Sequence, residues 1–123
     1  KVICMPVSID YRFSPLRMVL SKREPLAFDL FVRNDDDTKK KLTVKVILPS
    51  DLAFTKGGFK TTELLRVDSI MPREEKTFYF ELYPRHNTQA GEKEIRVVVQ
   101  EHKENYQYTQ NQYERIITLI VED

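Results

Sequence analysis

The sequence holds a single cysteine, Cys4, so no internal disulfide can tie one part of the chain to another. A lone thiol suits a reducing compartment, and it suits a bacterial or archaeal surface module almost as well. An excess of either charge is also missing. Lys and Arg number 20 against 19 Asp and Glu, whereas a nucleic-acid binder gathers a basic excess on one face. The balance argues against nucleic acid as a partner. The longest apolar runs, such as Ile116-Ile117-Thr118-Leu119-Ile120-Val121, fall far short of the ~20 residues a membrane-crossing helix needs. Direct insertion into a membrane is therefore not expected. The first residues, Lys1 to Pro6, lack the extended apolar stretch of a secretory leader. The compartment stays open between the cytoplasm and a surface protein. Histidine occurs only at His86 and His102, with no Cys or second His at ligand spacing. No metal or other cofactor is expected. No nucleophile, base and orienting carboxylate are linked by spacing, so the chain reads as non-catalytic.

What is present is a rhythm of two. In Phe78-Tyr79-Phe80-Glu81-Leu82, the residues Phe78, Phe80 and Leu82 share one face, because successive side chains of a strand point to opposite sides. The pattern recurs about seven times, which is the signature of an antiparallel β-sandwich. Val7, Ile9, Tyr11 and Phe13 form the first strand, interrupted by Pro15, with Leu16 to Leu20 resuming on the opposite sheet. Leu26, Phe28, Leu30 and Val32 form the second, and Leu42, Val44, Val46 and Leu48 the third. Leu65 and Val67, with Leu64 facing the other way, form a fourth; the Phe78 strand, Ile95-Val97-Val99 and Ile117-Leu119-Val121 follow. A short helix is expected near Asp51 to Thr55, and Glu101 to Gln112 reads as a long hairpin arm or an irregular loop. At 123 residues and 41% hydrophobic content, residues 1–123 are one domain, large enough to fold without metal or disulfide. Phe28, Leu30, Val44, Val46, Phe78, Phe80, Val97 and Leu119 are the expected core between the sheets.

Three local patterns carry a resemblance. A strand runs into Asn and an acidic turn at Phe31-Val32-Arg33-Asn34-Asp35-Asp36, and Pro with acidic residues precedes an aromatic strand at Pro72-Arg73-Glu74-Glu75-Lys76-Thr77-Phe78. A Gly precedes a β-branched strand at Gly91-Glu92-Lys93-Glu94-Ile95-Arg96-Val97. In this order, over residues 7 to 121, the chain resembles the immunoglobulin-like accessory domains of bacterial and archaeal proteins, including the cell-adhesion-related and NEW3-like families. It departs from that pattern at Arg73, Ala90 and Lys93. The resemblance implies an immunoglobulin-like sandwich of about seven antiparallel strands in two sheets. It also implies a spacer, linker or binding module, and carries no catalytic residues with it.

Two polar segments draw attention. Asn34-Asp35-Asp36-Asp37 offers oxygen ligands but not the spaced pattern of a calcium loop. It reads as a solvated turn offset by Lys39-Lys40-Lys41. Tyr106, Tyr108 and Tyr113 are interleaved with Asn and Gln, a composition suited to contact surfaces, since tyrosine gives rigid amphipathic area and amides give adaptable hydrogen bonds. They are the candidate contact residues, for another protein or self-association first and for a carbohydrate second. Phe31, Ile47 and Tyr79 fall on the outer faces of their strands.

Overall fold

The computed structural model describes residues 6–123, so Cys4 lies outside the described part. The strands are β1 (Val7–Ser14), β2 (Met18–Val19), β3 (Leu26–Asn34), β4 (Lys40–Ile47), β5 (Leu52–Ala53), β6 (Thr62–Ile70), β7 (Glu75–Pro84), β8 (Gly91–His102) and β9 (Thr109–Glu122). A 3-10 turn, Leu20–Lys22, follows β2. One sheet has the order β1-β3-β7-β5 and the other β2-β9-β8-β4-β6. Pairing is antiparallel except where β2 meets β9.

Alternation in the sequence decides which face each strand buries. Leu26, Phe28, Leu30 and Val32 from the first sheet meet Leu42, Val44, Val46, Ile95, Val97, Val99, Ile117 and Leu119 from the second, all fully or almost fully buried. Each such side chain contributes about 1.5–3 kcal/mol of transfer free energy. The result is an all-β sandwich with one core.

Phe78 and Phe80 are corrections to the expected core: both are half-buried. Strand β5 pairs only Leu52 with Pro84 and Ala53 with Tyr83. Most of β7 is therefore the rim of its sheet, and the inward face of a rim strand is covered from one side only. Phe80 still stacks on Phe28 at 5.8 Å and meets Phe54 at 5.5 Å. The expected helix near Asp51 is instead β5 and turns, with Leu52 and Ala53 both buried. The segment after Pro15 does cross to the other sheet, as β2. The Glu101 to Gln112 segment is a hairpin arm, in register down to Glu101 opposite Asn111 and shifted at His102 opposite Thr109.

Strand β1 forms the other rim of the first sheet. Arg115 of β9 donates to the carbonyl of Ile9 there, and its guanidinium lies 5.0 Å from the ring of Tyr11. A backbone acceptor on an open edge is thus satisfied by a side chain, and the added charge discourages strand addition.

Phe28→Ala should cost about 3–5 kcal/mol through lost burial and a residual cavity, and Phe80→Ala distinctly less. Equal losses in denaturant melts would contradict the rim position of β7.

Candidate functional site

Titratable groups converge at the end of the sandwich where β3 gives way to β4. Asn34, the last residue of β3, is fully buried. Its Nδ2 donates to the carbonyls of Thr38 at 2.8 Å and Ile70 at 3.0 Å, and its Oδ1 accepts from the N–H of Asp36 at 3.0 Å. Ile70 ends β6 in the opposite sheet, so one amide joins both sheets and the turn between β3 and β4. The Asn34 carbonyl accepts from the N–H of Arg73 at 2.7 Å.

The acidic turn hangs from that amide. Asp35 accepts from Ser8 and pairs with Arg33 at 2.9 Å, Asp36 pairs with Lys40 at 3.1 Å, and Asp37 with Arg73 at 3.0 Å. Of the three lysines expected to offset these charges, only Lys40 pairs with one of them; Arg33 and Arg73 do the rest. Arg73 reaches over with a backbone φ of 67°, a left-handed conformation in which glycine is the usual occupant. Its side chain also donates to the carbonyls of Asp35 and Asp36. The N–H of Asp37, and then Lys40, hold the Asp36 carboxyl below its ordinary pKa.

Lys40 sits at a core position of β4, in step with Leu42, Val44 and Val46, and its side chain is 4% exposed. Its ammonium donates to Glu101 at 3.0 Å, and Glu101 accepts from the Tyr113 hydroxyl at 2.9 Å. Burial works to lower the Lys40 pKa, but the bonds to Glu101 and Asp36 outweigh it and raise it. Burial, and next the bond to Glu101, push the Tyr113 phenol well above its ordinary value. The ammonium is therefore held charged and the phenol protonated at neutral pH. Neither is available as a base or nucleophile, so the cluster is a neutralised polar floor. Above it lies an open cavity of about 510 Å³ lined by Asp36, Thr38, Lys39, Gln110, Asn111 and Tyr113, among others.

The arm beyond this end is pinned to the outer face of the second sheet. His102 is buried; Nδ1–H donates to the Tyr108 carbonyl at 3.1 Å, and Nε2 accepts from the Thr43 hydroxyl at 2.6 Å. The carbonyl can only accept, which sets this tautomer. Tyr106 donates to Asp68, with Lys41 and Arg66 each 4.8 Å from its ring centroid. Burial, followed by the Asp68 bond, raises its phenol pKa.

The three candidate tyrosines do not share a surface. Tyr113 points between the sheets, Tyr106 lies half-buried against β4 and β6, and Tyr108 stands out at the tip, 69% exposed. Asn34, Lys40 and Glu101 were not among the candidates. The available signal is a charge at core parity: Lys40 two before Leu42, and Glu101 two after Val99. Among the described residues, no group of three or more His, Cys, Asp or Glu is placed to hold a metal ion. Neither protein-family models nor curated proteins compared with the chain give a match.

Lys40→Met should destabilise by about 3–5 kcal/mol, because it leaves Glu101 buried without its cation. Lys40→Met with Glu101→Leu should cost less than the sum of the single changes. Additive losses in a double-mutant cycle would show that the pair is not coupled.

The alkaline limb of stability also follows from the cluster. Lys40 and Tyr113 both bind their protons more tightly folded than unfolded. Their contribution is complete below the unfolded values of about 10 and is lost as pH rises from there through the raised folded values. Tyr113→Phe should flatten that fall in melts taken across the alkaline range; an unchanged slope would remove Tyr113 from the account.

Proposed function

We propose that this chain is a non-catalytic immunoglobulin-like β-sandwich that serves as a protein-interaction or accessory module within a larger assembly. The observation that carries this reading is Tyr108 on its braced arm. The backbone carbonyl of Tyr108 is tied to His102, and Tyr106 two residues earlier is tied to Asp68 and stacked under Lys41 and Arg66. The ring of Tyr108 nonetheless projects into solvent. A large aromatic group presented from an ordered backbone loses little conformational freedom on contact, which favours its use in recognition. The neutralised Lys40–Glu101–Tyr113 cluster supports the non-catalytic part, since its groups already satisfy one another.

Tyr108→Ser should leave the melt within about 0.5 kcal/mol and remove a protein that co-purifies with the tagged protein from its own cells. Retention of every co-purifying protein would overturn the reading. Tyr106→Ser serves as the contrast, lowering the melt because it unpins the arm.

A second reading, carbohydrate binding, is favoured by one feature. The cavity over Glu101 is lined by amides, hydroxyls and carboxylates, including Gln110, Asn111, Tyr113 and Asp36, the group types that bond sugar hydroxyls in a polar site. Binding on a glycan array that is lost in Asn111→Ala would replace the first reading with this one.

A further inference from the structure

At the end of the sandwich opposite Asn34, where β3 begins and β7 stops, three loops converge: the turn after β2, the link from β5 to β6 and the link from β7 to β8. They surround an open cavity of about 530 Å³, within the range of about 300–1,000 Å³ that small-molecule sites occupy. Each loop supplies a cation: Arg23 from the first, Lys56 from the second and Arg85 from the third, with His86 beside it. Among the described residues no carboxylate lines the cavity, and none of these three cations has an ion-pair partner. The acids of the neighbourhood are engaged elsewhere or face away. Asp51 pairs with Lys93 at 2.5 Å, Glu81 accepts from the Tyr83 hydroxyl at 2.9 Å on the outer face of β7, and Glu24 lines a separate hollow with Pro15 and Lys22.

Arg85 is held in place without being neutralised. Its backbone N–H donates to the carbonyl of Asp51 at 2.9 Å, and its Nη1 donates to the carbonyl of Ser50 at 3.2 Å. Its guanidinium lies 4.7 Å from the centroid of the Phe59 ring. Carbonyls and rings orient a guanidinium but leave its full charge uncompensated. The Thr88 hydroxyl donates to the Asp51 carbonyl at 2.5 Å, which ties the same loop to the start of β5.

We propose that this cavity binds a phosphate monoester, its phosphoryl group held by Arg23, Lys56 and Arg85 and its organic part laid on Leu20, Tyr83 and Pro84. A phosphoryl group carries close to two negative charges and three strong acceptor oxygens. That matches cations arriving from three loops better than a single carboxylate does. Each arginine offers a planar fork for paired bonds to phosphoryl oxygens, and the lysine adds a point charge. Arg85 is already ordered, so closing on the ligand costs little of its freedom. The same chemistry serves a soluble ester or a lipid headgroup. The site lies at the end of the sandwich away from Tyr108, so either can fail its test while the other stands.

The test is a titration of the full chain with inorganic phosphate and with phenyl phosphate, followed by amide NMR shifts. Chloride balances the ionic strength, so general screening is the same throughout. The amides of Arg23, Gly57, Arg85 and Thr88 should shift together and saturate, and phenyl phosphate should bind more tightly than inorganic phosphate because its ring reaches the apolar floor. Arg23→Gln and Arg85→Gln should each weaken binding about tenfold, the loss expected for one charged hydrogen bond to an anion. Lys103→Gln, which removes a cation at the other end of the sandwich, should change nothing. The Arg23 side chain makes no bond among the described residues, so its variant keeps the test sound even where Arg85→Gln lowers the melt. Vesicles of phosphatidylcholine with phosphatidic acid then name the source: co-sedimentation displaced by phenyl phosphate assigns a lipid headgroup, and failure to co-sediment assigns a soluble ester. Shifts that chloride alone reproduces, or binding that survives in both arginine variants, overturn the inference.

Discussion

One buried amide decides how the two sheets of this domain meet. Asn34 has two donors and one strong acceptor in its side chain, and all are used within 3.0 Å. One bond reaches the last residue of β6 in the opposite sheet, and two shape the turn that starts β4. An unpaired buried amide costs more than a made one gains, so this end of the sandwich is stable in one arrangement and strained in others. The acidic turn, the placement of Lys40 and the approach of Arg73 all follow from it. Arg73 illustrates the dependence: a non-glycine residue holds a left-handed backbone there because its side chain bridges the carbonyls and carboxylate of the turn that Asn34 fixes.

The charges of the molecule are sorted rather than spread. At the Asn34 end they close on themselves in short pairs, with a cation or hydroxyl for every acid of the turn. On the outer face of the larger sheet the lysines stand on β4 and most of the acids on β8 and β9, with Asp68 of β6 and Arg96 of β8 as the exceptions. A net charge of +1 hides both arrangements. Close pairs fix internal geometry, while separated ones create a field that another molecule can complement.

The fold was legible where a strand has one wet and one dry face. β3 and β4 carry near-regular alternation, and their apolar inward residues belong to the core. Legibility fell where neighbours, not sequence, decide exposure. Phe80 has the same pattern as Phe28, but a two-residue β5 leaves it half-covered. The arm from Glu101 to Gln112 reads equally as a hairpin or an irregular loop because Gln, Asn and Thr occupy both of its faces, and no period of two survives in such a stretch. The polar cluster was harder still. Lys40 and Glu101 are 61 residues apart, and their meeting depends on the register of β4 against β8. What the sequence could offer was each charge standing at core parity. Tyrosine composition, by contrast, named three residues whose side chains take three different directions.

The parallel pairing of β2 with β9 bears on how the domain carries force. Met18 lies beside Val121 and Val19 beside Glu122, with Arg17 paired to Glu122 at 2.6 Å. A load applied between β2 and β9 pulls these two segments past each other along their length. Bonds loaded in that direction must break together, whereas a hairpin pulled from its open end parts one bond at a time. Resistance to extension is set by the barrier to that joint rupture rather than by equilibrium stability. The small patch where β2 and β9 run side by side is therefore where such a load meets shear rather than peeling.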